Sequence, residues 1–177
     1  MLRAKFTLCF VSLFPLAAIC ARAAEQKYVK SDEPKGRFHM DRPADWQEKT
    51  YEGREVAMTF VPQQSKFGDS FSIIVAQLPS EVSEDRQDKD FKDTLPHKMK
   101  DFHLISDEPI EVAGHHVHRM VYTATVRKLH LEFTLVCLIV GKTEYMITFT
   151  TLTEGQKQLE PIIDHVLKSF KLEEKGK

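Results

Sequence analysis

Cysteine is nearly absent from the body of this chain. Cys9 and Cys20 fall in the leading residues and only Cys137 lies beyond them. Once the leading stretch is removed, no intramolecular disulfide can form, and the fold must rest on packing alone. Cys137 sits within Leu135-Val136-Cys137-Leu138-Ile139 and reads as an inert core thiol rather than a nucleophile. Glycine is sparse as well, with 7 in 177 residues. There is no phosphate-cradling glycine loop, no G-x-S-x-G, no H-E-x-x-H and no C-x-x-C. Asp88, Asp90 and Asp93 lack the glycine and glutamate of a calcium loop. The chain therefore reads as non-enzymatic. A hydrolase assembled from residues distant in sequence is the competing reading. No basic block stands out, which argues against nucleic acid and anionic membrane surfaces as partners.

What is present begins with a leader. Arg3 and Lys5 precede an apolar run from Phe6 to Ile19, interrupted by Pro15, and Ala21-Arg22-Ala23 has the A-x-A form of a signal-peptidase site. The run is short of the about 20 apolar residues a membrane span needs. Residues 1–23 are read as a signal peptide, leaving no transmembrane segment and placing the protein in the periplasm or outside the cell. A lipoprotein anchored to the outer or inner membrane through Cys20 is the alternative, weakened because Ile19 stands where a small residue normally precedes a lipidated cysteine. The leader carries Arg3, Lys5 and Arg22 and no acid, so the mature body is more acidic than the whole chain's formal −1.

Residues 24–35 are polar, contain Pro34 and read as a flexible lead-in. A single domain is expected over 36–172, with a polar tail at 173–177. Strands are expected at Gly36–Asp41, Glu55–Val61, Ser70–Leu78, 104–112, His115–Thr125, Leu129–Val140 and Thr143–Thr150. A hairpin loop is expected over Gln63–Asp69, with tight turns at Ala113-Gly114, around residues 126 and 127, and at Gly141-Lys142. The last of these sets Leu138 against Tyr145, Val136 against Ile147 and Cys137 against Met146. Leu129, Leu131, Phe133, Leu135, Cys137 and Ile139 alternate onto one sheet face, while Val136, Leu138 and Val140 make the other face apolar too. Both faces then need a cover.

One cover is a helix capped by Ser83 that carries Phe91, Leu95, Met99 and Phe102, with Pro96 expected to kink or split it. Its charged positions read as a solvated exterior. The other is a helix with Leu159, Ile162, Ile163, Val166, Leu167 and Phe170 in one stripe. Thr153 with Gln156 suggests a capping box, and Pro161 either bends this helix or opens its main part.

Taken in order, GRFHMDRPADW, EVAMTF, FSIIVAQLP, a helix, PIEVAGHHVHRMVYTAT, a long strand, GKTEYMITFTT and a final helix ending VLKSF resemble the PsbP-like superfamily. That group includes an extrinsic photosystem II subunit, a eukaryotic Ran-binding import factor and exported bacterial proteins of the DcrB type. The resemblance covers nearly the whole mature chain and is greatest to the exported bacterial branch. It implies an α/β fold in which an antiparallel sheet is flanked by helices on both faces, as the two apolar faces already require. It implies a binding or accessory protein whose partner is another envelope protein. It transfers no catalytic residue, and Trp46, Gly114, Tyr145 and Phe170 take structural roles in it.

The stretch GHHVH at 114–118 carries the sharpest chemistry. On a strand His116 and His118 share a face, about 7 Å apart, and His115 points away. Two imidazoles can grip zinc or copper, but a firm zinc site takes three or four protein ligands. With the turn at 126 and 127, His130 pairs with Thr123, too far along the strand to join His118. The remaining candidates are Glu111, His39 and His103. A metal module built on His116 and His118, with His115 at its margin, is one alternative to the binding role; a pH-sensitive surface is another.

Overall fold

The structure is a computed structural model that describes residues 26–49, 56–63, 69–153 and 155–173. Residues 1–25, which include Cys9, Cys20 and the expected leader, and most of the expected Gln63–Asp69 loop lie outside the described residues. The elements run β1 Tyr28–Asp32, β2 Phe38–Pro43, β3 Trp46–Glu48, β4 Val56–Pro62, β5 Ser70–Gln77, α1 Glu84–Lys98, β6 Lys100–Val112, β7 His115–Val126, β8 Leu129–Val140, β9 Thr143–Leu152, α2 Gln156–Ser169 and β10 Lys171–Leu172. A seven-stranded sheet has the order β3-β4-β5-β9-β8-β7-β6, and a three-stranded sheet has the order β1-β2-β10. Every pairing is antiparallel.

The β8–β9 hairpin fixes the centre. Gly141 takes φ +60° at the first turn position, which only glycine adopts without strain. The register then sets Leu138 against Tyr145, Val136 against Ile147 and Cys137 against Met146, as the sequence predicts. Because side chains alternate, β8 supplies two cores. Val136 and Leu138 join Phe60, Phe71, Ile73, Ile147 and Phe149 on one face. Leu131, Phe133 and Leu135 join Met120, Tyr122 and Ala124 on the other.

Helix α2 roofs the first face. All six stripe residues, Leu159, Ile162, Ile163, Val166, Leu167 and Phe170, are buried. Each such side chain stabilises the fold by roughly 1.5–3 kcal/mol before entropy is counted. The small sheet completes this layer, with Phe38 stacked on Phe170 at 5.2 Å between ring centroids. Helix α1 roofs the second face more lightly. None of its residues is fully buried, and Phe91 and Leu95 lie half-buried over Tyr122 and its neighbours. Two helices on opposite faces of an antiparallel sheet make this a single α/β sandwich domain.

Five expectations need correction. Met99 caps the end of α1, and Phe102, expected on that helix, lies in β6. Residues 28–32, read as a loose lead-in, form β1, which pairs with β2 along its whole length. The joining turn is built by Glu33, whose carboxylate accepts hydrogen bonds from the Lys35 and Arg37 backbone amides at 2.9 and 3.1 Å and from Arg37 Nη2 at 2.6 Å. Pro96 does not split α1: it lies two residues before the helix ends, and the Met99 amide still closes the last turn on the Leu95 carbonyl at 2.9 Å. The capping box at α2 does not form, since the N-cap is Gly155 with no side-chain cap. The space there is taken by Thr151, whose Oγ1 would lie 2.5 Å from a Cβ at Gly155. Finally, the β7–β8 turn centres on Arg127 and Lys128, with φ +49° and +73°. Moving the centre by one residue moves the register by two, so His130 pairs with Thr125, not Thr123.

Candidate functional site

The GHHVH hairpin starts from Ala113 and Gly114, both at positive φ, and runs under the first turns of α1. It does not gather the three histidines. His116 is exposed and stands opposite Glu111 in the β6–β7 register. His115 Nδ1 lies 3.9 Å from Glu84 Oε1, a loose approach to the first turn of α1. Only His118 has close company, with its Nδ1 2.9 Å from Asp107 Oδ1. His118 faces Pro109 across the ladder, so Asp107, two residues along β6, is its diagonal neighbour on the same face.

Asp107 belongs to a wider group. Lys92 of α1 bonds its carboxylate and also reaches Asp88 Oδ2 at 2.6 Å. Burial pushes the Asp107 carboxyl upward, but the hydrogen bonds from Lys92 and His118 outweigh it and hold the group below the usual carboxylate range. Those same acids, Asp107 first, raise Lys92 above an ordinary lysine. Ligand atoms of Asp88, Asp107 and His118 all lie within 4.8 Å of one another. Of the third ligands expected for the histidines, none comes to His118. Glu111 faces His116, His103 pairs with Thr123, and His39 bonds Glu173 at 2.5 Å in the small sheet. Asp107 goes unmarked in the sequence, and Asp88 figures there only as part of a calcium loop. Their signal was there, since a two-residue turn at 113–114 fixes the β6–β7 register, and Asp88 lies one helical turn from Phe91 on the side of α1 that meets the sheet.

Beside this group, Glu84, Asp88, Phe91 and His118 border a narrow crevice that ends on Cys137. The thiol donates to Glu144 Oε1 at 3.3 Å, and Gln87 Nε2 donates to the same oxygen at 2.7 Å. Burial, reinforced by the Glu144 carboxylate, drives the Cys137 thiol far above its ordinary range. A thiol held protonated is no nucleophile at neutral pH, as its aliphatic flanks suggest.

A larger recess of about 430 Å³ opens near the β8–β9 turn. Val140, Tyr145 and Leu172 give it an apolar wall, and Arg37, Gln77, Thr143 and Glu173 surround that wall. Glu33 steers Arg37 into place through the 2.6 Å ion pair. Nothing in the sequence joined these residues, because they come from four strands and two sheets. No helix among the described residues is long and apolar enough to cross a membrane.

No protein-family model matches the chain, and no curated protein matches it. Solved structures do. The solution structure of cyanobacterial PsbP (CyanoP) from Synechocystis aligns with a TM-score of 0.62 at 15% identity, over 90% of this chain and 100% of that one. LpqN of Mycobacterium tuberculosis, described as involved in cell envelope biogenesis, aligns at 0.61 and 9% identity, over 85% of this chain and 92% of its own. The Saccharomyces cerevisiae Ran-binding protein Mog1p aligns at 0.55 and 8% identity, over 82% and 95%. The chain therefore has a PsbP/Mog1-like fold, a backbone found in proteins of quite different settings.

Proposed function

We propose that this PsbP/Mog1-like chain is an exported, non-catalytic binding or accessory protein of the cell envelope, of the DcrB type. The observation that carries the reading is the backbone likeness to LpqN, whose description ties it to envelope biogenesis, over 85% of this chain. The Ran-binding description of Mog1p adds that this architecture serves protein binding elsewhere. The leader-like residues 1–23 support a periplasmic or extracellular location, with acylation at Cys20 as the route to a membrane-anchored form. Helices lie on both sheet faces, so the partner surface is assigned to the outer edge of β6. Leu104 and Ile105 are exposed there by 37% and 49%, beside backbone groups that an extended partner segment can pair with.

Crosslinked capture from an envelope fraction tests this reading. The mature chain should retain an envelope protein saturably, and Ile105→Lys should retain at least tenfold less. Turnover of a substrate in a broad screen, with no partner captured, overturns it.

The Asp88, Asp107 and His118 group supports a second reading, a divalent metal module for zinc or copper. A metal ion would have to displace the Lys92 ammonium, which already neutralises both acids. Lys92→Ala should therefore tighten zinc binding at least tenfold in calorimetry on tag-free protein, and His118→Ala should abolish it. Absence of binding tighter than micromolar in Lys92→Ala ends this reading.

A further inference from the structure

The recess bordered by Val140, Tyr145 and Leu172 has the size of a small-molecule site. Its volume of about 430 Å³ falls within the roughly 300–1,000 Å³ typical of ligand pockets. Its chemistry is lopsided in an informative way. Tyr145 is 8% exposed and lines the recess. Its phenol carries one O–H donor. Arg37 lines the same recess. Its Nη2 bonds Glu33 at 2.6 Å, and the side chain keeps 21% of its surface exposed.

The acids nearby are already satisfied. Glu33 takes Arg37 and two backbone amides. Glu173 takes His39 at 2.5 Å. Gln77 donates to Thr143 at 2.9 Å. One end of the recess therefore carries the hydrogen-bond donors of Tyr145 and Arg37. The other end is apolar, with Leu172 half-buried and Val140 exposed by 38% at the rim.

We propose that this recess binds a small amphipathic molecule, with its hydrogen-bond-accepting acidic head against Tyr145 and Arg37 and its apolar body along Val140 and Leu172. Such a head accepts from these donors, and a charge-assisted bond from a guanidinium is roughly twice as strong as a neutral one. The apolar body gains by burial in proportion to the area it covers. This site goes beyond the partner surface on β6 and is separate from it. Failure of partner capture leaves it standing, and its own failure leaves the partner reading standing.

Sodium decanoate, kept below micelle formation, is the probe, followed by calorimetry on the mature chain. Saturable one-to-one binding with a dissociation constant below about 1 mM is expected. Decyltrimethylammonium, which has the same tail and a head that accepts no hydrogen bond, should bind at least tenfold more weakly. Tyr145→Phe keeps the ring and removes the donor, and should weaken decanoate about fivefold, in line with the about 1 kcal/mol of one hydrogen bond. Val140→Trp, at an exposed rim position that leaves the core intact, should block the recess and abolish binding with the circular dichroism unchanged. Equal affinity for the two amphiphiles, no saturable binding, or full binding by a folded Val140→Trp overturns the proposal.

Discussion

Replacing Ile163 by alanine isolates what α2 contributes. The side chain is 1% exposed and sits mid-stripe, packed into the core that includes Phe71, Val136 and Ile147. The substitution removes about three methylene equivalents at about 0.8 kcal/mol each, or about 2.4 kcal/mol of transfer free energy. The gap left behind adds about 24 cal/mol per Å³ that the surroundings fail to fill. A total of about 3–4 kcal/mol follows, a large share of the about 5–15 kcal/mol that holds a domain of this size. Urea unfolding of residues 24–177, followed by circular dichroism, measures it as a lower midpoint at unchanged slope. Phe91→Ala on α1 serves as the comparison. Phe91 is only half-buried, so despite the larger side chain its loss should cost less than that of Ile163. A cost below 1 kcal/mol for Ile163→Ala, or a larger cost for Phe91→Ala, refutes the claim that α2 closes the main core.

Lys128→Gly should raise stability by about 1 kcal/mol, read from the melting temperature, because Lys128 sits at φ +73°, where a non-glycine side chain is strained. Glu132 is 4% exposed, and burial, with the Glu160 charge added, raises its carboxyl pKa. A raised carboxyl favours the folded state at low pH and loses that advantage as pH climbs through its folded value. Glu132→Gln should accordingly raise the melting temperature at pH 7.5, with the gain shrinking as the pH falls toward the ordinary carboxylate range. Cys137, half-buried and held protonated, should react with iodoacetamide at pH 7.5 at least tenfold more slowly in the folded chain than in urea.

The parts of the fold that the sequence announced are those with strong periodicity. The α2 stripe, the β8 alternation and the Gly141-Lys142 turn each speak through side chains that alternate or repeat, and the structure places them as read. What stayed hidden lacks such a signal. Strand β1, Tyr28–Asp32, is short, polar and mostly exposed, so nothing in its pattern separates it from a tail. Arg127 and Lys128 turn the chain in the left-handed region without a glycine to mark it, and that shifted the expected pairing of His130. The candidate sites show the same divide. Clustering in sequence drew attention to His115, His116 and His118, yet a strand points neighbours apart, and of the three His118 is the one within hydrogen-bond distance of a carboxylate among the described residues. The recess around Tyr145 draws Arg37 from the turn before β2, Gln77 from β5 and Leu172 from β10. Only the crossing of the small sheet over the large one brings them together.

Titrating isotope-labelled residues 24–177 with decanoate, and following every backbone amide by NMR, tests most directly whether that recess holds an acidic amphiphile. The account predicts saturable shifts centred on Gln77, Val140, Thr143 and Leu172, with the His115–His118 hairpin still. Shifts centred on that hairpin, or scattered without saturation, contradict it.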